Sequence, residues 1–274
     1  MVIKKFFQTS IICGLLLLTS CSTFSFVFER LDWFALWRLD SMFELSDKQE
    51  ALLQPELIEL QQWMRDEGFP TTIEKLEALL ALWDEEKPEA AYLHLMSSLD
   101  ELNQLYLNAM EGQVVKFSLS LTKENAQHYR VYTDDKQEDW FEPASSIDAR
   151  IDDDIERLET WFGHLNDQQV NIIERMASLT ENELQIRIDN LRTWRESFLQ
   201  AALNRDTSLI RTWLNDLSIF WTEEYTLLKQ HNKQQRQALL FELFPTLTLK
   251  QKHHARDYVV DLIDKLQDVI PHKS

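Results

Sequence analysis

From about Arg30 onward, apolar residues return every three or four positions, the period of a helix that buries one side. Leu53, Leu57, Leu60 and Met64 form one such stripe, and Leu95, Leu99, Leu102 and Tyr106 another. The pattern resumes at Ile151, Ile155, Leu158 and Phe162, at Leu184, Ile188, Leu191 and Phe198, and at Ala255, Val259, Leu262, Leu266 and Val269. Polar residues that start helices stand between the stripes: Ser46, Thr71, Thr122, Ser146, Asn166, Thr180, Asp206, Thr222 and Thr248. Gly68-Phe69-Pro70 reads as a stop, Pro88 as a first-turn proline, and Gly112 as the end of the helix that Pro88 begins. The pattern predicts an all-α multi-helix bundle of roughly ten amphipathic helices with short capped connections and no strand. Residues 134–146 are acidic, contain Pro143 and lack apolar periodicity, which predicts a long loop and a possible sub-division of the helical body, 30–274.

The start of the chain follows a different rule. Lys4 and Lys5 precede an apolar run from Ile11 to Leu18, followed by Thr19, Ser20 and Cys21. These are the parts of a secretory leader, and the run of eight or so apolar residues is far short of the roughly twenty that span a bilayer. Leu18-Thr19-Ser20-Cys21 resembles a bacterial lipobox. It implies a signal peptide over 1–20, lipid on Cys21 as the first mature residue, and a short tether over 21–29. Ser22 in place of aspartate implies sorting to the outer membrane, facing the periplasm, with the inner membrane as the lesser alternative. The plainer reading is an ordinary leader cleaved nearby, with Cys21 an incidental thiol. An extended tether would reach at most about 30 Å. Its alternating Phe24, Phe26 and Phe28 would either dip into the lipid interface or dock on the body.

Composition narrows the possible activities. The net charge of −18 becomes −20 once Lys4 and Lys5 leave with the leader, so the body is repelled by nucleic acid. Four glycines in 274 residues leave little material for phosphate loops or turn-rich sheets. Cys13 lies in the leader, so lipid on Cys21 leaves no thiol for a disulfide, a thiolate metal site or a nucleophile. No Gly-x-Ser-x-Gly, phosphate loop or His-Glu-x-x-His is present. His253 and Asp257 share a helix face beside His254, yet an exposed polar face accounts for them equally well. Asp84-Glu85-Glu86, Asp152-Asp153-Asp154 and Glu223-Glu224 read as solvated faces near helix ends. No catalytic residue, metal or cofactor is assigned. The nine tryptophans are expected in the core. Trp140 is the exception: beside Phe141 in the acidic loop, it forms the candidate partner-contact patch.

One phrase recurs at helix starts: Leu45-Ser46-Asp47-Lys48-Gln49, Leu121-Thr122-Lys123-Glu124-Asn125, Leu165-Asn166-Asp167-Gln168-Gln169, Leu179-Thr180-Glu181-Asn182-Glu183 and Leu247-Thr248-Leu249-Lys250-Gln251. Each has capping-box chemistry, and each is accounted for as a good helix start. The Leu-Thr-x-x-Gln form also resembles helix starts of periplasmic chaperones of the Spy and CpxP kind. A broader resemblance rests on Leu31-Asp32-Trp33, Trp37, Leu39-Asp40 and Phe43 through Gln49, then Tyr129-Arg130 with Tyr132, and Trp161 with Leu165 through Gln169. These pieces resemble an uncharacterised family of bacterial lipoproteins, which implies a helical lipoprotein and carries no catalytic residue. The expected role is non-catalytic: a protein-interaction or chaperone-like adaptor, bound to the membrane through Cys21 and to an unidentified envelope protein. The alternatives are an envelope enzyme with a site that motifs do not reveal, and a purely structural lipoprotein.

Overall fold

The computed structural model describes residues 21–141, 146–180 and 182–271. Among them the chain is helical throughout, without a strand. The elements are α1 (Cys21–Phe28), α2 (Leu31–Phe43), α3 (Asp47–Trp63), a π turn (Met64–Gly68), α4 (Phe69–Asp84), α5 (Pro88–Ser120) and α6 (Lys123–Phe141). They continue with α7 (Ile147–Phe162), α8 (Asp167–Leu179), α9 (Leu184–Leu203), α10 (Thr207–Asn215), α11 (Glu223–Leu243) and α12 (Leu249–Gln267). Short 3₁₀ turns, Leu217–Phe220 and Phe244–Thr246, precede α11 and α12.

Four of the five repeated helix starts meet in pairs. Ser46 and Gln49 close a capping box at the start of α3, where Gln49 Oε1 accepts from Ser46 N at 3.0 Å. The other end of the same amide donates to Asn125 Oδ1 and to the Ser120 carbonyl, both at 2.9 Å. Asn125, which accepts from Thr122 N at the start of α6, donates back to the carbonyls of Phe43 and Glu44 at 2.8 and 2.9 Å. The second pair repeats this. Gln169 and Gln251 close the boxes of α8 and α12 and exchange amide hydrogen bonds of 3.0 and 2.8 Å. Gln169 also donates to the Thr246 carbonyl and Gln251 to that of His164. All four amides are at most 7% exposed. Each start therefore caps itself, its partner, and the end of the helix before its partner.

The fifth copy behaves differently. Thr180 closes α8, its hydroxyl donating to the Met176 carbonyl at 2.9 Å, and α9 begins only at Leu184. Its predicted role as a helix opener is corrected: the hydroxyl is spent on a carbonyl of the preceding turn.

Around the paired starts the chain repeats itself. Arg38-Leu39-Asp40-Ser41-Met42-Phe43 at the end of α2 matches Arg157-Leu158-Glu159-Thr160-Trp161-Phe162 at the end of α7. Both helices end in a left-handed residue, Glu44 at φ 53° and Gly163 at φ 71°. Asp40 accepts from Leu45 N at 2.9 Å, and Glu159 from Leu165 N at 3.2 Å. After the second start of each half, Leu121-Thr122-x-x-Asn125-x-x-His128-x-Arg130-x-Tyr132 matches Leu247-Thr248-x-x-Gln251-x-x-His254-x-Arg256-x-Tyr258. His128 pairs with Glu44 at 3.2 Å, while the His254 ring lies against Gly163. One core gathers Phe43, Leu53, Phe117, Leu121 and Tyr129, and another Phe162, Ile173, Leu243, Leu247 and Ala255. The halves also exchange a helix: α4 packs on α12 and α9 on α6.

Several predicted boundaries differ from the structure. The chain does not stop at Gly68-Phe69-Pro70. A π turn carries α3 into α4, with Phe69 N bonded to the Met64 carbonyl, and the widened turn accommodates a proline that lacks an N–H. Gly68 is needed there, because a Cβ would lie 2.9 Å from the Tyr106 hydroxyl. Thr71 does not open a helix; it sits within α4, its hydroxyl donating to the Glu67 carbonyl at 2.8 Å. Gly112 does not end α5 either, since Val115 and Phe117 beyond it have a core to fill. The acidic stretch 134–146 is no long loop: α6 runs to Phe141 and α7 begins at Ile147. Arg195 of α9 reaches both Thr133 Oγ1 and Asp134 Oδ1 at 2.6 Å and holds this polar helix without an apolar stripe.

The expected tether is likewise a helix. α1 buries Phe24 and Phe28 at 2% and 0% exposure against Phe69, Val259, Ile263 and Leu266. Gln61 donates to the Phe28 carbonyl, and Arg65 pairs with Glu29 at 2.5 Å. Alternation failed as a signal because Phe24 and Phe28 are also i and i+4, one face of a helix. Phe28→Ala is expected to cost about 3–5 kcal/mol in urea unfolding, whereas a loose tether would leave the midpoint unmoved. A double-mutant cycle on Gln169→Ala and Gln251→Ala is expected to show a coupling of about 1–3 kcal/mol. Either single change leaves the other amide buried and half-paired; additive effects would mean that the two helix starts are independent.

Candidate functional site

Helix α2 is apolar on more than one side, because two different surfaces use it. Leu36, Leu39, Met42 and Phe43 turn inward onto the first core. Trp33 and Trp37, one helical turn apart, point outward at 57% and 55% exposure, with Phe34 beside them. The Trp33 and Phe34 rings meet edge to face at 4.9 Å between centroids. Phe26 of α1 is also exposed, and the Arg30 guanidinium lies over its ring at 4.9 Å. Every exposed aromatic ring among the described residues falls between Phe26 and Trp37; exposed large hydrophobics elsewhere are aliphatic and scattered. This corrects the expected core placement of Trp33 and Trp37, although Trp213 is buried as expected. Leu36, Leu39 and Phe43 fill the inward face and leave no room there for Trp33 and Trp37, a competition that helical spacing alone does not reveal because all five residues recur at it.

A cavity of about 300 Å³ lies on the inward side of α2. The rings of Phe43, Phe117, Tyr129, Trp194, Phe198 and Trp213 form most of its wall, completed by aliphatic side chains. Tyr129 stacks on Phe43 at 4.4 Å and Trp194 on Phe198 at 5.5 Å. No carboxylate, imidazole or amine lines it. Burial pushes the Tyr129 hydroxyl above its ordinary pKa, so it stays protonated at neutral pH. Trp194 Nε1 is buried there without a hydrogen-bond partner. Chemically the cavity can hold an apolar group, and it has nothing that would move a proton near pH 7.

Ionisable groups gather elsewhere. An open hollow of about 470 Å³ is bordered by Glu44, Lys123, Glu124, Gln127, His128 and Val131, with the His128–Glu44 pair at its edge. Asp154 of α7 is half-buried, and burial raises its carboxyl above the usual range against the opposing pull of Arg236. Burial lowers the Lys229 ammonium, which sits 4.3 Å from the Trp221 ring and 5.5 Å from that of Tyr225. None of these groups lines the cavity.

The residues singled out from the sequence are not brought together. Cys21 opens α1, and its side chain lies outside the described residues, as does the leader over 1–20. Trp140 and Phe141 end α6, and their side chains also lie outside the described residues. His254 Nε2 faces the Thr160 carbonyl at 3.3 Å while His253 and Asp257 are exposed on α12. Among the described residues no group of three or more His, Cys, Asp or Glu could hold a metal ion. No described helix is long and apolar enough to cross a membrane.

A raised carboxyl pKa in the folded state means that folding favours the protonated form. The cost of burying ionised Asp154 is complete above the raised value and vanishes below the usual aspartate value near 3.8. Asp154→Asn is therefore expected to raise the urea midpoint at pH 7, with the gain shrinking as the pH falls through 4. A variant destabilised at pH 7 would show instead that attraction to Arg236 outweighs burial.

A sequence model of a family of unknown function, DUF6279, matches residues 41–226, from the end of α2 into α11. No curated protein and no solved structure matches the chain.

Proposed function

The chain belongs to this family of unknown function, and on that premise we propose that it is a lipoprotein acting by contact rather than by catalysis. Cys21 carries the lipid, and the body stands at the periplasmic face of the outer membrane. Its role is that of an adaptor or a chaperone-like binding protein for an envelope protein. The separation of cavity from charge supports a contact role. The cavity is walled by apolar rings with no carboxylate, imidazole or amine among them, and Glu44, Lys123, Glu124 and His128 border a separate, open hollow. The anchor is supported by the lipobox at Leu18 to Cys21, followed at once by a helix docked on the body. The end of α6, with Trp140 and Phe141, is the candidate partner contact.

Two measurements test this reading. The mass of the mature chain should include acyl chains on Cys21, and Cys21→Ala should leave an unacylated precursor lost from the detergent-extracted membrane fraction. Normal membrane retention of that variant would defeat the anchor. Photo-crosslinking from position 140 in intact cells should recover envelope protein. One dominant partner identifies an adaptor, and a broad set of partly folded exported chains identifies a chaperone. Efficient crosslinking to lipid or to nothing else would remove the contact role.

A further inference from the structure

We propose that the exposed aromatic face of α1 and α2, formed by Phe26, Trp33, Phe34 and Trp37, lies in the headgroup layer of the membrane and fixes the body in one orientation on the lipid. The proposal rests on the anchoring at Cys21 argued above.

Proximity and rigidity carry it. Phe26 stands five residues after Cys21 in the same helix, about 7.5 Å along the axis at 1.5 Å per residue. Trp37 follows within the next helix. There is no slack between anchor and body, because Phe24 and Phe28 are buried, Gln61 holds the Phe28 carbonyl and Arg65 holds Glu29. Acyl chains entering the bilayer at Cys21 therefore bring the surface around α1 to the interface, and the exposed aromatic rings among the described residues, Phe26, Trp33, Phe34 and Trp37, all follow within sixteen residues of Cys21.

The chemistry of the face fits the same occupant. Indole and phenyl rings favour the headgroup region, where an apolar body and a polar edge are both accommodated. Over Cys21–Phe43, Glu29, Asp32 and Asp40 are set against Arg30 and Arg38, a net charge of −1 in a chain of −18. The helix that follows, α3, has Asp47, Glu50, Glu56 and Glu59 against Lys48, a net −3. The aromatic face is thus close to neutral, and Arg30 over Phe26 sets a cation among the rings, where lipid phosphate can reach it. The inward residues of α2 are committed to the first core, so the face can meet the lipid without unfolding anything.

The test uses the full acylated chain in vesicles of phosphatidylethanolamine and phosphatidylglycerol. Trp37→Cys provides a single free thiol for an environment-sensitive fluorophore, and Leu249→Cys, 74% exposed at the far end of α12 from the residues that hold Phe24, provides the reference. The label at 37 is expected to shift to shorter wavelength on reconstitution and to be quenched by lipid with a nitroxide high on its acyl chain; the label at 249 should remain as in water. A water-like label at 37 on protein that carries acyl chains and floats with the vesicles would overturn the orientation and leave the anchor standing. Protein without acyl mass that fails to float would overturn the anchor, and the orientation with it. A shift at 37 that grows with protein concentration in the absence of vesicles would assign the face to a second copy of the chain and overturn the proposal.

Discussion

The fold depends on four buried side-chain amides that each do two things. In an apolar interior, an amide with any group unpaired costs roughly 1–3 kcal/mol, so every hydrogen bond must be made at once. Gln49, Asn125, Gln169 and Gln251 meet that requirement only where two helix starts face each other and the preceding helices end beside them. A capping box alone fixes where a helix begins. An amide that also reaches across fixes where two helices begin relative to one another, and so sets the geometry of four chain segments.

Much of the remaining architecture follows. The left-handed turns at Glu44 and Gly163 bring α2 and α7 back to their boxes, and the Asp40 and Glu159 carboxylates hold the turning backbone. The pairs then stand over two similar cores, and the exchange of α4 and α9 joins those cores into one body. The halves are not identical. In the second, Trp83 fills the space against Phe162 and Phe244, and its Nε1 donates to the Lys252 carbonyl at 3.1 Å. In the first, Trp194 leaves its Nε1 unpaired beside a cavity. That difference distinguishes the packing of the two halves around their paired helix starts.

The docking of α1 changes what an anchor at Cys21 would mean. A flexible tether would let the body sample every orientation within its length. A helix whose Phe24 and Phe28 belong to the core would instead hold the body against the point of attachment, so the neighbouring surface would become part of any membrane-bound state. The hydrophobic stripe inside α2 and the aromatic face outside it are then two halves of one device, one side for the core and one for the environment.

The sequence by itself determined the helices and most of their starts, because helical period and capping chemistry are local properties readable within a few residues. Ser46, Asn166 and Thr248 open their helices as the spacing requires. The recurring phrase was equally legible, and the family match agrees with the resemblance to an uncharacterised family. What only the tertiary structure decided is partnership. Nothing near Gln49 says that Asn125 completes its hydrogen bonds, and nothing near Asp134 says that Arg195 will hold α6 helical. Likewise Trp33 and Trp37 follow the same helical spacing as core residues. They are left outside because Leu36, Leu39 and Phe43 already fill the space facing α5 and α6. Burial is settled by competition among segments far apart in the chain, and no local pattern records which of them wins.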